Sequence, residues 1–167
     1  MRRPRIRAAL GAMALAVALV SLARADAPAG QYGLFSSSDT TIWDTKTNLV
    51  WERRPQSGPS GQYAFKDAAT HCQGLSLNGF SNWRVPSYKE LLTLVDENLH
   101  VEYENGGLVA HAIDGNAFPQ TAVDTFYWTS SEVPQAPSPL YGYAVSFGDG
   151  TGQQALLTQT LYVRCVH

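Results

Sequence analysis

The spacing of apolar and polar positions divides the chain into an early hairpin, two helices and a later group of strands. Residues 41–43 and 49–51 are rich in β-formers and are joined by turn-forming residues, which predicts a hairpin. Ser87 followed by Glu90 forms a capping box, which predicts a short second helix that ends near Asp96. The first helix is predicted between residues 63 and 75 by an apolar stripe at helical spacing, formed by Phe65, Ala68, Ala69, Cys72 and Leu75.

Alternating apolar and small residues return in the last third of the chain. Residues 126–131 are typical of a strand, residues 141–147 alternate like a half-buried strand, and shorter strands are predicted at 155–157 and 161–165. Helices that come early and strands that cluster late predict an α+β fold with a small antiparallel sheet. Residues 96–125 show little periodicity, and we expect a long irregular loop region of the kind that is often functional.

The first 25 residues have the composition of a secretory signal peptide. Four arginines precede an apolar run from Ala8 to Ala23, and Ala23-Arg24-Ala25 is a small-x-small cleavage site. The run holds about 16 residues, fewer than the roughly 20 that cross a bilayer as a helix. We therefore expect cleavage after Ala25, export to the periplasm or beyond, and no membrane span in the mature chain. A flexible lead-in at 26–39 and one domain at 40–167 would remain.

Charge is distributed unevenly along the chain, and this argues against nucleic acid as a partner. The 167 residues are 44% apolar, 11% aromatic and 16% charged, which is enough apolar material for one core. Without the first 25 residues, seven basic and fourteen acidic side chains remain, a net charge of −7. Binding to a phosphate backbone depends on Lys and Arg, so the mature chain is unsuited to it.

Two cysteines, Cys72 and Cys165, lie in the mature chain. In an oxidising compartment an even pair usually forms a disulfide, which here would join the first helix to the last strand. The alternative is a catalytic or metal-binding thiol pair, for which the nearest histidines, His71 and His167, offer no CxxC-type pattern. We favour the disulfide.

Seven short motifs follow one another in an order that resembles a known family. They are Trp43-Asp44, Leu49-Val50-Trp51, Asn82 to Ser87 continued by Lys89-Glu90-Leu91, Phe118-Pro119, Tyr127 to Ser131, Phe147 to Gly150, and Tyr162 to Val166. Over residues 40–167 the chain resembles the Lcl C-terminal domain family, bacterial domains named for one end of a collagen-like adhesin. That family is related to the C-type-lectin-like fold of formylglycine-generating enzymes. The resemblance implies a C-type-lectin-like domain with a disulfide from the first helix to the final strand.

The resemblance also implies where a ligand binds. In C-type-lectin-like domains the long irregular segment, here about residues 96–126, lies over one face and commonly contacts ligand, sometimes a sugar held through calcium. Two calcium signatures of that fold, glutamate-proline-asparagine and tryptophan-asparagine-aspartate, are absent from this sequence. We expect no cofactor, with calcium as a weak candidate.

Aromatic side chains with polar tips suit amphipathic ligands, and five of them are the candidate ligand-binding residues: Tyr103, Tyr127, Trp128, Tyr141 and Tyr143. Tyr127 and Trp128 are adjacent on a strand and point to opposite faces, so we expect one of them to be exposed. Tyr141 and Tyr143 share a face. Core packing is expected for Trp43, Trp51 and Trp83.

Acidic and basic side chains supply two further sets. Hard cations take six to eight oxygen ligands, and the candidate metal ligands are Asp96, Glu97, Glu102, Glu104 and Asp114. The alternative is a solvated acidic loop, because EF-hand spacing is missing. The structural motif residues are Trp83, Arg84, Pro86, Ser87, Glu90 and Arg164. Arg84 and Arg164 are each expected to hold a buried carboxylate or backbone carbonyls, with Glu90 as a plausible partner.

Together these features predict an exported, non-catalytic binding module that presents its long loop and neighbouring aromatics to a surface glycan, polysaccharide or protein. The sequence holds no nucleophile elbow, HExxH, P-loop or dinucleotide fingerprint. Two alternatives stay open: a metal-assisted hydrolase or modifying enzyme that uses the acidic loop, and a structural subunit of an envelope or surface assembly. The oligomeric state is left open.

Overall fold

The computed structural model of the protein describes residues 27–34, 39–55, 61–104, 106–134 and 140–167, with the backbone alone at 102–104. The predicted signal peptide at residues 1–25 lies outside these described residues. Within them, the longer helix has nine residues, so neither helix has the length of a bilayer-crossing segment.

Three antiparallel strands form the first sheet, β1 (Tyr32–Leu34), β2 (Thr41–Asp44) and β3 (Leu49–Glu52), in the order β1-β2-β3. The predicted hairpin at 41–51 is therefore confirmed as β2 and β3. Next come β4 (Gln62–Tyr63), the helices α1 (Phe65–Gln73) and α2 (Tyr88–Leu92), and the hairpin of β5 (His100–Glu104) with β6 (Gly107–His111). The chain ends with β7 (Phe126–Glu132), β8 (Tyr141–Ser146), β9 (Gly152–Leu156) and β10 (Leu161–Tyr162).

The central element is a five-stranded sheet in the order β4-β10-β7-β8-β9. Its strands pair antiparallel, apart from the short parallel contact between β10 and β7. Two helices with mostly antiparallel sheets agree with the α+β prediction. Both helices begin where the apolar stripe and the capping box predict them, and both capping-box hydrogen bonds form. The second helix is shorter than predicted, because it ends at Leu92 and not near Asp96.

Both faces of this sheet are covered, so the protein has a core cluster on each side. One cluster joins Ala68 and Cys72 of α1 to Trp128 of β7. The other joins Leu91 of α2 to Tyr127 of β7. Neighbouring residues of a strand point to opposite faces, which is why Tyr127 and Trp128 belong to different clusters.

The stretch predicted as a long irregular loop is only partly irregular, and this corrects the expectation for residues 96–125. It contains the β5–β6 hairpin, and after it Ala112, Ile113 and Phe118 are fully buried in the core. The turn between the strands carries Asn105-Gly106 in the sequence, with Gly106 at φ 88°. Asn-Gly is a strong signal for a tight hairpin turn, and it was available in the sequence.

The lead-in predicted at residues 26–39 also contains regular structure. Residues 32–34 form β1, which pairs antiparallel with β2 through Tyr32↔Asp44 and Leu34↔Ile42. Three residues are too few to show a β period of their own, so this strand is defined by its partner rather than by its own pattern.

The last three residues of the chain connect several distant segments. Val50 N donates to His167 O (3.1 Å), His167 N donates to Val50 O (2.8 Å), and Glu52 N donates to Cys165 O (2.9 Å). On the other side, Arg84 and Val166 exchange two backbone hydrogen bonds of 2.9 Å. The predicted disulfide between Cys72 and Cys165 is present and adds α1 to this junction.

We expect the double variant Cys72→Ala/Cys165→Ala to lose about 4–5 kcal/mol of unfolding free energy, because a crosslink across 93 positions restricts the unfolded chain strongly. Guanidinium unfolding followed by tryptophan fluorescence measures the difference from the oxidised parent. The control is the parent reduced with dithiothreitol, which should unfold like the double variant. Coincident unfolding curves for the double variant and the oxidised parent would contradict this role of the disulfide.

Candidate functional site

Three tyrosines from α2 and β8 lie side by side on one face of the central sheet. The rings of Tyr88 and Tyr143 are 5.1 Å apart between centroids, at 38° to each other. Tyr141 lies two residues before Tyr143 on β8 and therefore shares its face. Directly opposite on β9, Gln154 pairs with Tyr143 and Leu156 pairs with Tyr141. We call these five residues the tyrosine patch.

The patch is half-open to solvent. All three tyrosines are partly buried, Gln154 is exposed, and Leu156 has 42% of its surface exposed. The same face becomes buried further along β8, where Val145 joins the core cluster around Leu91. The patch is thus the exposed margin of a packed face, so its rings are supported from below.

Two hydrogen bonds between β7 and the start of α2 hold Tyr88 in place. Tyr88 N donates to Ser131 Oγ (3.1 Å), and Ser130 N donates to Pro86 O (2.7 Å). The register of β7 against β8 shifts between Trp128 and Glu132, as in a β-bulge, and Ser130 and Ser131 lie within that irregularity. The bulge thus turns strand groups toward the start of α2.

Gly152 gives Tyr88 room to lie across β9. A β-carbon at Gly152 would overlap the Tyr88 hydroxyl and come within 2.8 Å of its Cζ. Any other residue at 152 therefore requires the Tyr88 ring to shift from this position. Sequence reasoning missed both Tyr88 and Gly152; the only signal was that Tyr88 follows the capping serine, and this says nothing of which ring it meets.

The predicted partnership of Arg84 and Glu90 is confirmed, but the carboxylate is not buried as expected, since 26% of the Glu90 side chain is exposed. Arg84 donates from both terminal nitrogens to the two carboxylate oxygens, at 2.7 and 2.8 Å, and Ser87 N donates to Glu90 Oε2 at 2.8 Å. The Arg84 hydrogen bonds hold the pKa of Glu90 at about 2, below its ordinary 4.5. The same carboxylate therefore caps α2 and neutralises Arg84.

Arg164 holds backbone carbonyls, which was one of the two predicted roles. It is 1% exposed and donates to the carbonyls of Glu52 (2.7 Å) and Arg53 (2.9 Å) and to Thr121 Oγ1 (2.7 Å). Its guanidinium carbon lies 5.0 Å from the centre of the Phe118 ring. The arginine thereby fixes the end of β3 against the segment that precedes β7.

The expectation that Tyr127 or Trp128 is exposed is wrong, because both faces of β7 are covered. Both residues are 0% exposed. The Tyr127 hydroxyl accepts a hydrogen bond from Ala122 N (2.8 Å), and burial raises the pKa of this hydroxyl. Trp128 Nε1 donates a hydrogen bond to Tyr63 O (2.8 Å). Both polar tips are thus used inside the protein.

The remaining aromatic residues considered in the sequence analysis are not part of the tyrosine patch. Tyr103 lies on β5, and its side chain is outside the described part of the structure. Trp51 and Trp83 are buried as expected, but Trp43 is 38% exposed, and its Nε1 donates to Asn48 Oδ1 (3.2 Å). The core prediction for Trp43 is therefore wrong.

Two of the five acidic candidates meet at a small cavity of about 130 Å³. Asp96 and Asp114 line it together with Tyr32, and burial with the charges of Asp44, Asp114 and Asp96 raises the pKa of the Tyr32 hydroxyl. Asp96 accepts from Asn98 N and contacts His100 Nε2, both at 3.0 Å, while Asp114 accepts from Asn116 N and Ala117 N.

The other acidic candidates do not join them. Glu97 is exposed and is not among the residues that line this cavity. The side chains of Glu102 and Glu104 lie outside the described part of the structure. Among the described side chains, no three His, Cys, Asp or Glu residues are grouped to hold a metal ion. Asp96 and Asp114 instead accept hydrogen bonds from backbone amides two or three residues further along the chain.

The chain matches the model of a known protein family. The family model described as the Lcl C-terminal domain matches residues 40–167. No curated protein matches the chain.

Because the pKa of Glu90 is depressed to about 2, its contribution to stability is present above its ordinary value of 4.5 and is lost as the pH falls toward 2. We expect Glu90→Gln to weaken the pH dependence of the urea midpoint in this range. The stability cost at neutral pH should be about 1 kcal/mol or less, because both partners reach solvent. The control is Glu97→Gln, which should follow the parent. A Glu90→Gln curve that also follows the parent would contradict this assignment.

Proposed function

The chain belongs to the Lcl C-terminal domain family, and we propose that it is an exported, non-catalytic binding module that recognises a surface glycan through its tyrosine patch. The observation that carries the proposal is the row of Tyr88, Tyr143 and Tyr141 on one half-open sheet face. The ring centroids of Tyr88 and Tyr143 are 5.1 Å apart. The proposed site lies on α2, β8 and β9 rather than on the 96–126 segment.

The chemistry of the patch suits a sugar. The face of an aromatic ring carries partial negative charge, and the C–H groups on one side of a pyranose ring carry partial positive charge, so the two stack. Tyrosine hydroxyls and the Gln154 amide lie at the margin and can exchange hydrogen bonds with sugar hydroxyls. None of the five patch residues is an acid or a base of the Asp, Glu, Lys or Arg type. A neutral glycan is the ligand class that this combination favours.

The support of the patch also favours binding over an unspecific surface role. Tyr88 is held by the β7 bulge and by the capped start of α2, and Tyr143 O accepts from Thr129 Oγ1 (2.7 Å). Rings that are already fixed lose little conformational freedom when a ligand binds.

Export and the finer fold are parts of the same proposal. The basic and apolar leader in the sequence supports export, and the disulfide is of the kind that persists in oxidising compartments. A C-type-lectin-like arrangement is supported by the disulfide between the first helix and the carboxyl-terminal segment. The non-catalytic assignment is supported by the lack of a catalytic motif in the sequence.

We expect Tyr143→Ala to weaken the affinity for a neutral polysaccharide by about two- to tenfold, because the loss of one stacking contact changes a dissociation constant by about that factor. Glycan-array screening first selects the polysaccharide, and isothermal titration then measures the affinity. Gly152→Ala should also weaken binding, because it displaces Tyr88 while all three tyrosines stay in the chain.

The matched control is Trp43→Ala, which removes an exposed ring outside the patch and should leave the affinity unchanged. Equal affinities for the parent, Tyr143→Ala and Gly152→Ala would rule out the patch as the site. Binding of charged glycans alone, or turnover of a substrate by the purified protein, would overturn the proposed function.

A further inference from the structure

A groove of about 480 Å³ lies on a surface away from the tyrosine patch, between the β5–β6 hairpin and the end of the central sheet. One wall is Leu108, Val109 and Ala110 of β6. The rest of the lining comes from residues 123–126, from Ser146 at the end of β8, and from Gly148 and Asp149 in the turn that follows. We call this the β6 groove.

The wall on the β6 side is an open strand edge. Sheet β5–β6 has two strands only, so the side of β6 that does not face β5 pairs with no other described strand. Ala112 N, just beyond β6, donates across that side to Phe147 O (2.6 Å). Backbone groups of a strand alternate in direction, so those of Leu108 and Ala110 point to the same side as Ala112. Leu108 and Ala110 both line the groove.

Two common protections against strand addition, lysine and proline, are missing from this edge. Natural proteins blunt edges with lysine, proline or a covering segment, and Gly107–His111 contains neither lysine nor proline. Leu108 at the groove is 75% exposed, and Val101 on the neighbouring strand is 59% exposed. Exposed apolar groups along an open edge mark an interaction surface.

The charged residues that line the groove are acidic, and they favour a partner with basic residues. Asp124 and Asp149, both exposed, contribute the carboxylates of its lining. Asp149 accepts hydrogen bonds from Thr151 N (3.0 Å) and Thr151 Oγ1 (2.8 Å), which hold its pKa below the ordinary value. The carboxylate therefore stays ionised at neutral pH and favours a cation in the ligand.

We propose that the β6 groove binds an extended segment of a partner protein, added to β6 as a third strand, in which apolar and basic residues alternate. The backbone of the segment would pair with Leu108 and Ala110, its apolar side chains would contact Val123 and Phe126, and a lysine or arginine would meet Asp124 and Asp149. A second copy of this chain fits less well, because none of the strands at the edges of the described sheets contains a lysine or an arginine.

The probe that tests this is a synthetic peptide of alternating valine and lysine, acetylated and amidated, titrated into isotope-labelled protein and followed by NMR. We expect the amide signals of Leu108, Ala110 and Gly148 to shift. A peptide with glutamate in place of lysine, or with a proline at its centre, should bind at least about tenfold more weakly.

Two variants with matched controls sharpen the test. Leu108→Lys places a positive charge in the groove, which repels the lysines of the peptide, and should weaken binding about tenfold. Leu99→Lys, at a 49% exposed position outside the groove lining, should leave binding unchanged. The double variant Asp124→Asn/Asp149→Asn should weaken binding and reduce its dependence on salt. Unchanged spectra of the unliganded variants away from the mutated sites show that they fold.

Several results would overturn the proposal. They are equal binding of the lysine and glutamate peptides, equal binding to Leu108→Lys and the parent, and shifts confined to the tyrosine patch. A lack of any shift with the lysine peptide would do the same. Concentration-dependent shifts at Leu108 without peptide would instead identify a second copy as the occupant.

Discussion

The carboxyl-terminal segment, crosslinked at Cys165, is the constraint on which the rest of the structure depends. Its backbone pairs with β3 on one side and with Arg84 on the other, and its sulfur is bonded to Cys72 of α1. Cys165 N also donates to the buried carboxylate of Glu52 (3.0 Å). Three other parts of the chain, β3, α1 and the backbone at Arg84, therefore meet at residues 165–167, and backbone groups that would otherwise be buried without partners are paired there.

This junction is linked to the tyrosine patch by a short series of contacts. Val166 fixes the backbone of Arg84, the Arg84 side chain binds Glu90, and Glu90 caps the helix whose first residue is Tyr88. The position of the Tyr88 ring over β9 thus follows from interactions that begin at the end of the chain. A surface built on helix and strand in this way is more rigid than one built on a loop.

Sequence patterns predicted the elements that carry their own local signal. The apolar stripe of α1, the Ser87–Glu90 capping box and the β2–β3 hairpin follow from spacing and turn chemistry, and the Cys72–Cys165 pair follows from count and compartment. What could not be predicted depends on tertiary partners. Strand alternation places Tyr127 and Trp128 on opposite faces, but it cannot show that each face of β7 is covered. The contact of Tyr88 with Tyr143 likewise depends on how α2 docks.

Amide hydrogen exchange on the oxidised and the reduced protein tests most directly whether the crosslinked segment organises the fold. The amides of Arg84, Val166 and His167 should be strongly protected in the oxidised protein and should lose that protection together when Cys72 and Cys165 are reduced. The Tyr88 amide, which is bound to Ser131, should lose protection with them. Full protection of Arg84 and Tyr88 in the reduced protein would contradict the account.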